Sequence, residues 1–299
     1  MSFAWMFAII VGAFILFIAI YASSKVIDTG RESKAVQAGK EIGILLNPLE
    51  TGFESGKTNS ITMPVDTRIH NLCSDFGNFG KQGLKVSQKS FGDWSETDMQ
   101  TDFPNKYIFS EDIVEGKEFY LFSKPLKFPY KLADLIYMSS EKRDYCFVEA
   151  PESIKRELQL LDQENIDTNC SENKLQNSIK VCFNRGNCDI RVDYNGEKVF
   201  KKGEVLEFRE DALMYAAVFG EPEIYECQLK RLVKRMKNLA ELYKEKAVIT
   251  STKGCDYNIN LDELISVANN YESSANLRAL NNIVEEINKE NSFAQCKLW

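Results

Sequence analysis

Residues 3–22 read FAWMFAIIVGAFILFIAIYA, and this run decides the layout of the chain. Every side chain in it is apolar or small, with neither a charge nor a proline. At the helical rise these residues span about 30 Å, the hydrocarbon thickness of a bilayer. Trp5 and Tyr21 stand near the two ends, where amphipathic rings favour the membrane interface. The lipid bilayer is therefore the partner expected of residues 3–22, and residues 1–24 are expected to be a transmembrane anchor. A cleaved signal peptide is the competing reading, with Ala22-Ser23-Ser24 as its small-residue site. Against it, no basic segment precedes the run, and the run exceeds the roughly 7–15 residues of a signal core.

Outward from the anchor, the remaining chain is ordinary globular material. Of 299 residues, 44% are hydrophobic and 27% charged, which excludes disorder and low complexity. The net charge of −7 removes any general attraction to nucleic acid or anionic lipid, so a basic patch must be local. Orientation draws two opposing arguments. Lys25, Arg31, Lys34 and Lys40 follow the apolar run and nothing basic precedes it, which by the positive-inside rule puts the head in the cytoplasm. The cysteines argue the other way. Cys73, Cys146, Cys170, Cys182, Cys188, Cys227, Cys255 and Cys296 are even in number, with no CxxC spacing among them. That pattern favours a disulfide framework outside the cytoplasm over reduced, buried cysteines or a metal site. Cys182 and Cys188 flank a turn-like Phe-Asn-Arg-Gly-Asn, and Cys255 would meet Cys296 if the last helices form a hairpin. Asn169-Cys170-Ser171 makes Asn169 a glycosylation candidate.

The soluble part is expected to be α+β. Residues 25–57 form a stalk or linker, ended as a helix by Asn47-Pro48. In 58–150, short β-forming runs such as 61–63, 85–87, 107–109, 119–122 and 145–148 alternate with Gly, Pro, Asn and Asp. Pro104, Pro125 and Pro129 suit strand ends. Residues 151–220 carry a helix over 151–166 and two β-hairpins over 179–208, turning at Asn184-Arg-Gly-Asn and Asn195-Gly-Glu. Residues 221–299 are a helical unit. Tyr225, Leu229, Leu232, Met236, Leu239 and Tyr243 form a heptad seam, and Leu277, Leu280, Val284 and Ile287 a shorter one. Such seams serve packing within the chain, or a protein partner or self-association. Asn260 with Glu263 marks a helix start.

No catalytic motif survives inspection. Gly52-Phe-Glu-Ser-Gly56-Lys57-Thr58 lacks one residue of a P-loop and leads into a β-prone run rather than a helix. The one histidine, His70, would have to serve any Ser-His or Cys-His site. Carboxylates number 44, too many to choose a pair from. The chain is thus read as a non-enzyme with no catalytic, cofactor-binding or metal residues. Lys230, Arg231, Lys234, Arg235 and Lys237 are its densest basic cluster, either a solvated helix face or a candidate docking strip for an acidic partner, anionic lipid or nucleic acid. Nucleic acid is the least favoured occupant, because no aromatic residues are interleaved for stacking.

Several stretches resemble a group of uncharacterised archaeal single-pass membrane proteins. They are Trp5-Met-Phe-Ala-Ile-Ile-Val-Gly12, Leu46-Asn-Pro-Leu-Glu-Thr-Gly-Phe53, Phe103-Pro-Asn-Lys-Tyr-Ile-Phe109, Ala212-Leu-Met-Tyr-Ala-Ala217, Pro222-Glu-Ile-Tyr-Glu-Cys227 and Lys297-Leu-Trp299. That resemblance covers most of the chain and implies a membrane anchor but no activity. In layout alone the chain also resembles type IV pilins, with an apolar N-terminal helix before an external head. It lacks their early glutamate and the basic and small residues that precede their apolar run. Together these readings describe a membrane-anchored structural or interaction protein of the cell envelope. A module for a ligand or surface polymer, with an aromatic groove near Phe119–Phe122, and a tethered carboxylate hydrolase are the alternatives.

Overall fold

A computed structural model describes residues 5–23, 57–90, 92–95, 100–170, 178–183, 186, 188–255, 257 and 259–299. The expected stalk, the Asn47-Pro48 stop and the glycine run 52–56 lie outside these residues. Helix α1, Trp5–Ser23, is long and apolar enough to cross a membrane, with mean hydropathy 2.5 and no part covered by the rest of the chain.

The head is α+β, as its alternating runs predict. The first sheet holds β1 (Lys57–Ser74), β2 (Lys81–Ser90), β3 (Asp93–Trp94), β4 (Thr101–Phe103), β5 (Ile108–Phe109), β6 (Ile113–Lys127) and β7 (Lys131–Ser140). Its order is β3-β2-β1-β6-β7-β5, with β4 beside β2. The pairs are antiparallel except β5 with β7. Pro125 lies within β6 rather than at its end. It stands beyond Ser123, the β6 residue paired with Lys57 at the start of β1, so its missing N–H opens no gap in that ladder.

The second sheet contains β8 (Tyr145–Val148), β9 (Ile166–Asp167), β10 (Ile179–Phe183), β11 (Ile190–Asp193), β12 (Lys198–Lys201) and β13 (Glu204–Glu207). Helix α2, Glu152–Leu160, connects β8 to β9 and is shorter than its apolar spacing suggests. The expected first hairpin is not one. β10 and β11 run parallel, Val181 opposite Ile190, and the Cys182–Cys188 disulfide closes the loop between them. A parallel pair cannot be joined by a two-stranded reversal, so the expected turn does not make a hairpin of these strands. The Asn195-Gly hairpin does form between β11 and β12, and a further one turns at Lys202-Gly203 with both residues at positive φ.

Helix α3, Glu210–Phe219, has every residue from Ala212 to Phe219 buried, since a helix apolar on all sides needs cover on all sides. It packs against β6 and β7 of one sheet and β12 of the other. Tyr137 donates to the Ala212 carbonyl at 2.7 Å, and the rings of Phe122, Tyr137, Tyr215, Phe219 and Tyr145 interlock around it. At its C-terminus Lys201 Nζ donates to the Val218 and Gly220 carbonyls at 2.9 and 2.8 Å, doing the work of a C-cap.

The C-terminal region comprises α4 (Pro222–Ser251), α5 (Leu261–Asn269) and α6 (Leu277–Phe293). Pro222 occupies the first turn of α4, and the Asn260 side chain accepts from Glu263 N at the start of α5. Both heptad seams are used within the chain. Tyr225, Leu229, Leu232 and Met236 are buried, as are Leu277, Leu280, Val284 and Ile287. Leu239 and Tyr243 are half-buried and pack against the same core, so most of both seams serves packing within the chain. One apolar cluster extends from Tyr107 to Leu298, so residues 58–150, 151–220 and 221–299 share a core. A smaller cluster, including Ile69, Val86, Phe119, Leu121 and Ile136, fills the opposite face of the first sheet.

Candidate functional site

The cysteines are all paired: Cys73–Cys227, Cys146–Cys170, Cys182–Cys188 and Cys255–Cys296. Two of these pairs, Cys182–Cys188 and Cys255–Cys296, are the ones the sequence suggests. Cys73–Cys227 instead ties the end of β1 to the first turns of α4 across 154 residues of sequence. Two residues beyond Cys73, Asp75 lines a cleft of about 590 Å³ between the Asp75–Gly80 turn, α4 and the end of α5.

The basic strip divides around that cleft. Spacing of three and four residues puts Lys230, Lys234 and Lys237 on one stripe of α4, and Arg231 and Arg235 on the next stripe round. The three lysines line the cleft. Arg231 is fully buried. Its Nη1 donates to the Lys106 carbonyl at 2.9 Å and Gln228 Oε1 at 2.6 Å, its Nη2 to the Pro104 and Phe103 carbonyls, and its Nε to the Phe79 carbonyl at 3.3 Å. The guanidinium also lies 4.6 Å from the Tyr107 ring centroid. Burial lowers its pKa to about 10, which the Tyr107 phenol opposes and Arg235 reinforces, so it remains a cation at neutral pH. Arg235 donates to the Leu132 carbonyl at 2.6 Å. Arg231 is thus an internal clamp with no exposed face for docking, while Arg235 is half-buried and keeps part of its side chain at the surface. Charge density in the sequence cannot distinguish a guanidinium facing water from one facing carbonyls.

The turn is held by the same helix. Lys234 donates to the Asp75 and Gly77 carbonyls, and Lys230 Nζ lies 4.0 Å from the Asp75 carboxylate. Gly80 has φ +59, and a Cβ there would meet the Ser74 carbonyl at 2.4 Å and Arg231 Cγ at 2.8 Å. Below lies a buried amide chain. Gln228 Nε2 donates to Gln82 Oε1, Gln82 Nε2 to Asn71 Oδ1, each at 2.5 Å, and Asn71 Nδ2 to Ser110 Oγ at 2.9 Å.

Around the cleft, Lys237, Asn78, Asn238, Asn269 and the Glu272 carboxylate are without a partner among the described residues. Phe76 and Phe79, in the same turn, are 91% and 50% exposed. The asparagines come from three separate segments, so no spacing in the sequence could have flagged them.

Other expected features fall elsewhere. Phe119 to Phe122 are all buried, so no aromatic groove exists there. Their alternation puts Phe119 and Leu121 into the smaller apolar cluster and Phe122 into the larger. His70 Nε2 lies 3.4 Å from Ser87 Oγ, and burial followed by Arg68 and Lys85 lowers its pKa, with no carboxylate to fix its tautomer. The carboxyls raised by burial, Asp112 and Glu210, have different charged neighbours, Glu221, Glu223 and Lys202 for one, Asp211, Lys124 and Lys127 for the other. They are not a coupled pair. Asn169 is exposed, beside Cys170. No cluster of three or more potential ligands able to hold a metal occurs among the described residues. No protein-family model, curated protein or solved structure matches this chain.

Proposed function

We propose that the chain is a membrane-anchored interaction protein of the cell envelope whose head works outside the cytoplasm. The observation that carries this reading is the pairing of all eight cysteines into four disulfides. Reducing compartments keep thiols open, so a head with no free thiol belongs to an oxidising one. The apolar α1 fits an anchor on the same protein. Lysines that follow the apolar run argue for the opposite topology, but a large folded domain crosses regardless of a few flanking charges.

The interaction part of the reading is supported by the lysine-lined cleft and by the exposed Phe76 and Phe79. Intact cells treated with a membrane-impermeant maleimide test the topology. The head is expected to stay unlabelled until an impermeant reductant is added, and then to label from outside. Labelling without reductant, or only after permeabilisation, refutes it. Size analysis of the native N-terminus separates a retained anchor from a cleaved signal sequence.

A further inference from the structure

We infer that the cleft bounded by the Asp75–Gly80 turn, α4 and α5 binds an acidic saccharide, a run of sugar rings carrying carboxylates. The charge argument comes first. The protein is acidic overall, yet this cleft gathers Lys230, Lys234 and Lys237 on one stripe of α4. They cover about 10 Å of helix axis, the length of a short run of sugar units. Lys234 is engaged with turn carbonyls and Lys230 leans on Asp75, while Lys237 has no partner among the described residues. An ammonium with free donors in a half-enclosed cleft is a ready site for a carboxylate.

The rest of the wall selects among anions. Asp75 and Glu272 place carboxylates in the same cleft, and these repel a ligand that carries only negative charge. Hydroxyls can donate to them. Asn78, Asn238 and Asn269 each offer a donor and an acceptor, the pairing that neighbouring sugar hydroxyls present. The exposed Phe76 adds, in the same turn, an apolar ring face of the sort sugar C–H groups lie against. An acidic peptide would satisfy the lysines, and its backbone could pair with the amides, but its carboxylates would face Asp75 and Glu272 with no hydroxyls to donate to them. Chemistry that matches all three wall types therefore has both carboxylates and hydroxyls.

This inference goes beyond the proposed role and depends on it only for access to such a polymer. Binding is measured on purified full-length protein and topology on cells, so either can fail without the other. The experiment is calorimetric titration of the detergent-solubilised protein with an oligogalacturonate, a neutral glucose oligomer and polyglutamate. Oligogalacturonate is expected to bind with a salt-sensitive affinity, and Lys237→Gln to weaken it about tenfold through loss of one charge-assisted contact. Asn238→Ala should weaken it without changing the salt dependence. Both positions are part-exposed and unpartnered, and unchanged urea midpoints would show the variants folded. Binding that ignores both substitutions, polyglutamate binding as tight as the saccharide, a neutral oligomer binding equally well, or no binding by any probe overturns the inference.

Discussion

Removing the Cys73–Cys227 bridge by the double substitution C73A/C227A should destabilise the head more than removing any other bridge. The bridge spans 154 residues of sequence, whereas Cys182–Cys188 spans 6. A cross-link chiefly restrains the unfolded chain, and its effect grows with the logarithm of the loop it closes. The chain-entropy relation gives about 5 kcal/mol for the long loop and about 2 for the short one, a difference of about 3 that does not depend on the relation's constant. The Cys146–Cys170 and Cys182–Cys188 bridges lie inside the long loop and shorten it, which changes the figure by only about 0.2 kcal/mol. In the folded state the neighbouring Arg231 and Gln228 contacts still fasten α4 to the first sheet, so the native geometry should survive. The assay is urea unfolding of the full-length protein in detergent, followed by the fluorescence of Trp299, which packs on Tyr130 and Tyr243. C73A/C227A should also steepen the urea dependence, because its unfolded chain exposes more surface. A loss no larger than that of C182A/C188A would refute the reasoning.

Further outcomes follow from held groups in the head and from the anchor. Lys201 has its pKa lowered to about 8 by burial, so the folded head releases that proton before the unfolded chain does at 10.5. Stability should therefore rise as pH climbs from about 8 towards 10.5, by up to about 3 kcal/mol, and Lys201→Met should abolish that gain relative to wild type in urea midpoints at the two pH values. At neutral pH the same variant leaves the Val218 and Gly220 carbonyls unpaired and should lose about 1–3 kcal/mol. Arg231→Met strands several buried acceptors and should cost about 3–5 kcal/mol, and Gly80→Ala, strained at positive φ, about 1–3; limited proteolysis should then open the Asp75–Gly80 turn first. Alkaline carbonate washing should leave the native protein in the membrane pellet through α1, and its release with an intact N-terminus would count against the anchor.

The parts of this molecule legible in the sequence are those set by local chemistry. A run of apolar side chains declares α1 without any tertiary information. Pro222 and the heptad spacing announce α4, and Asn260 with Glu263 announces α5, because caps and amphipathic stripes act within one or two turns. Cys182–Cys188, six residues apart, was within reach for the same reason, and Cys255–Cys296 through the expected fold-back of the last helices. Cys73–Cys227 and Cys146–Cys170 were not, since their pairing is decided by how the sheets assemble. The parallel β10–β11 pair was hidden because a Gly-Asn segment suits a reversal and a looped return equally. The basic strip was half legible. Its periodicity assigns two stripes, but only the carbonyls of Phe79, Pro104 and Lys106, from remote loops, make Arg231 internal.

That division of the strip bears on how a loop tip can serve as a binding wall. A six-residue turn with two glycines at positive φ has, by itself, little to hold it. Here its base is covalently fixed through Cys73 to α4, its far end is held by Arg231 at the Phe79 carbonyl, and its middle by Lys234 at Asp75 and Gly77. All three restraints come from the helix that supplies the opposite wall. The two walls are thereby set at a fixed separation before any ligand arrives, and the entropy of ordering the turn is lost on folding rather than on binding. Breaking one restraint should leave the fold in place and weaken ligand binding by way of the turn, which distinguishes a preorganised site from an incidental groove.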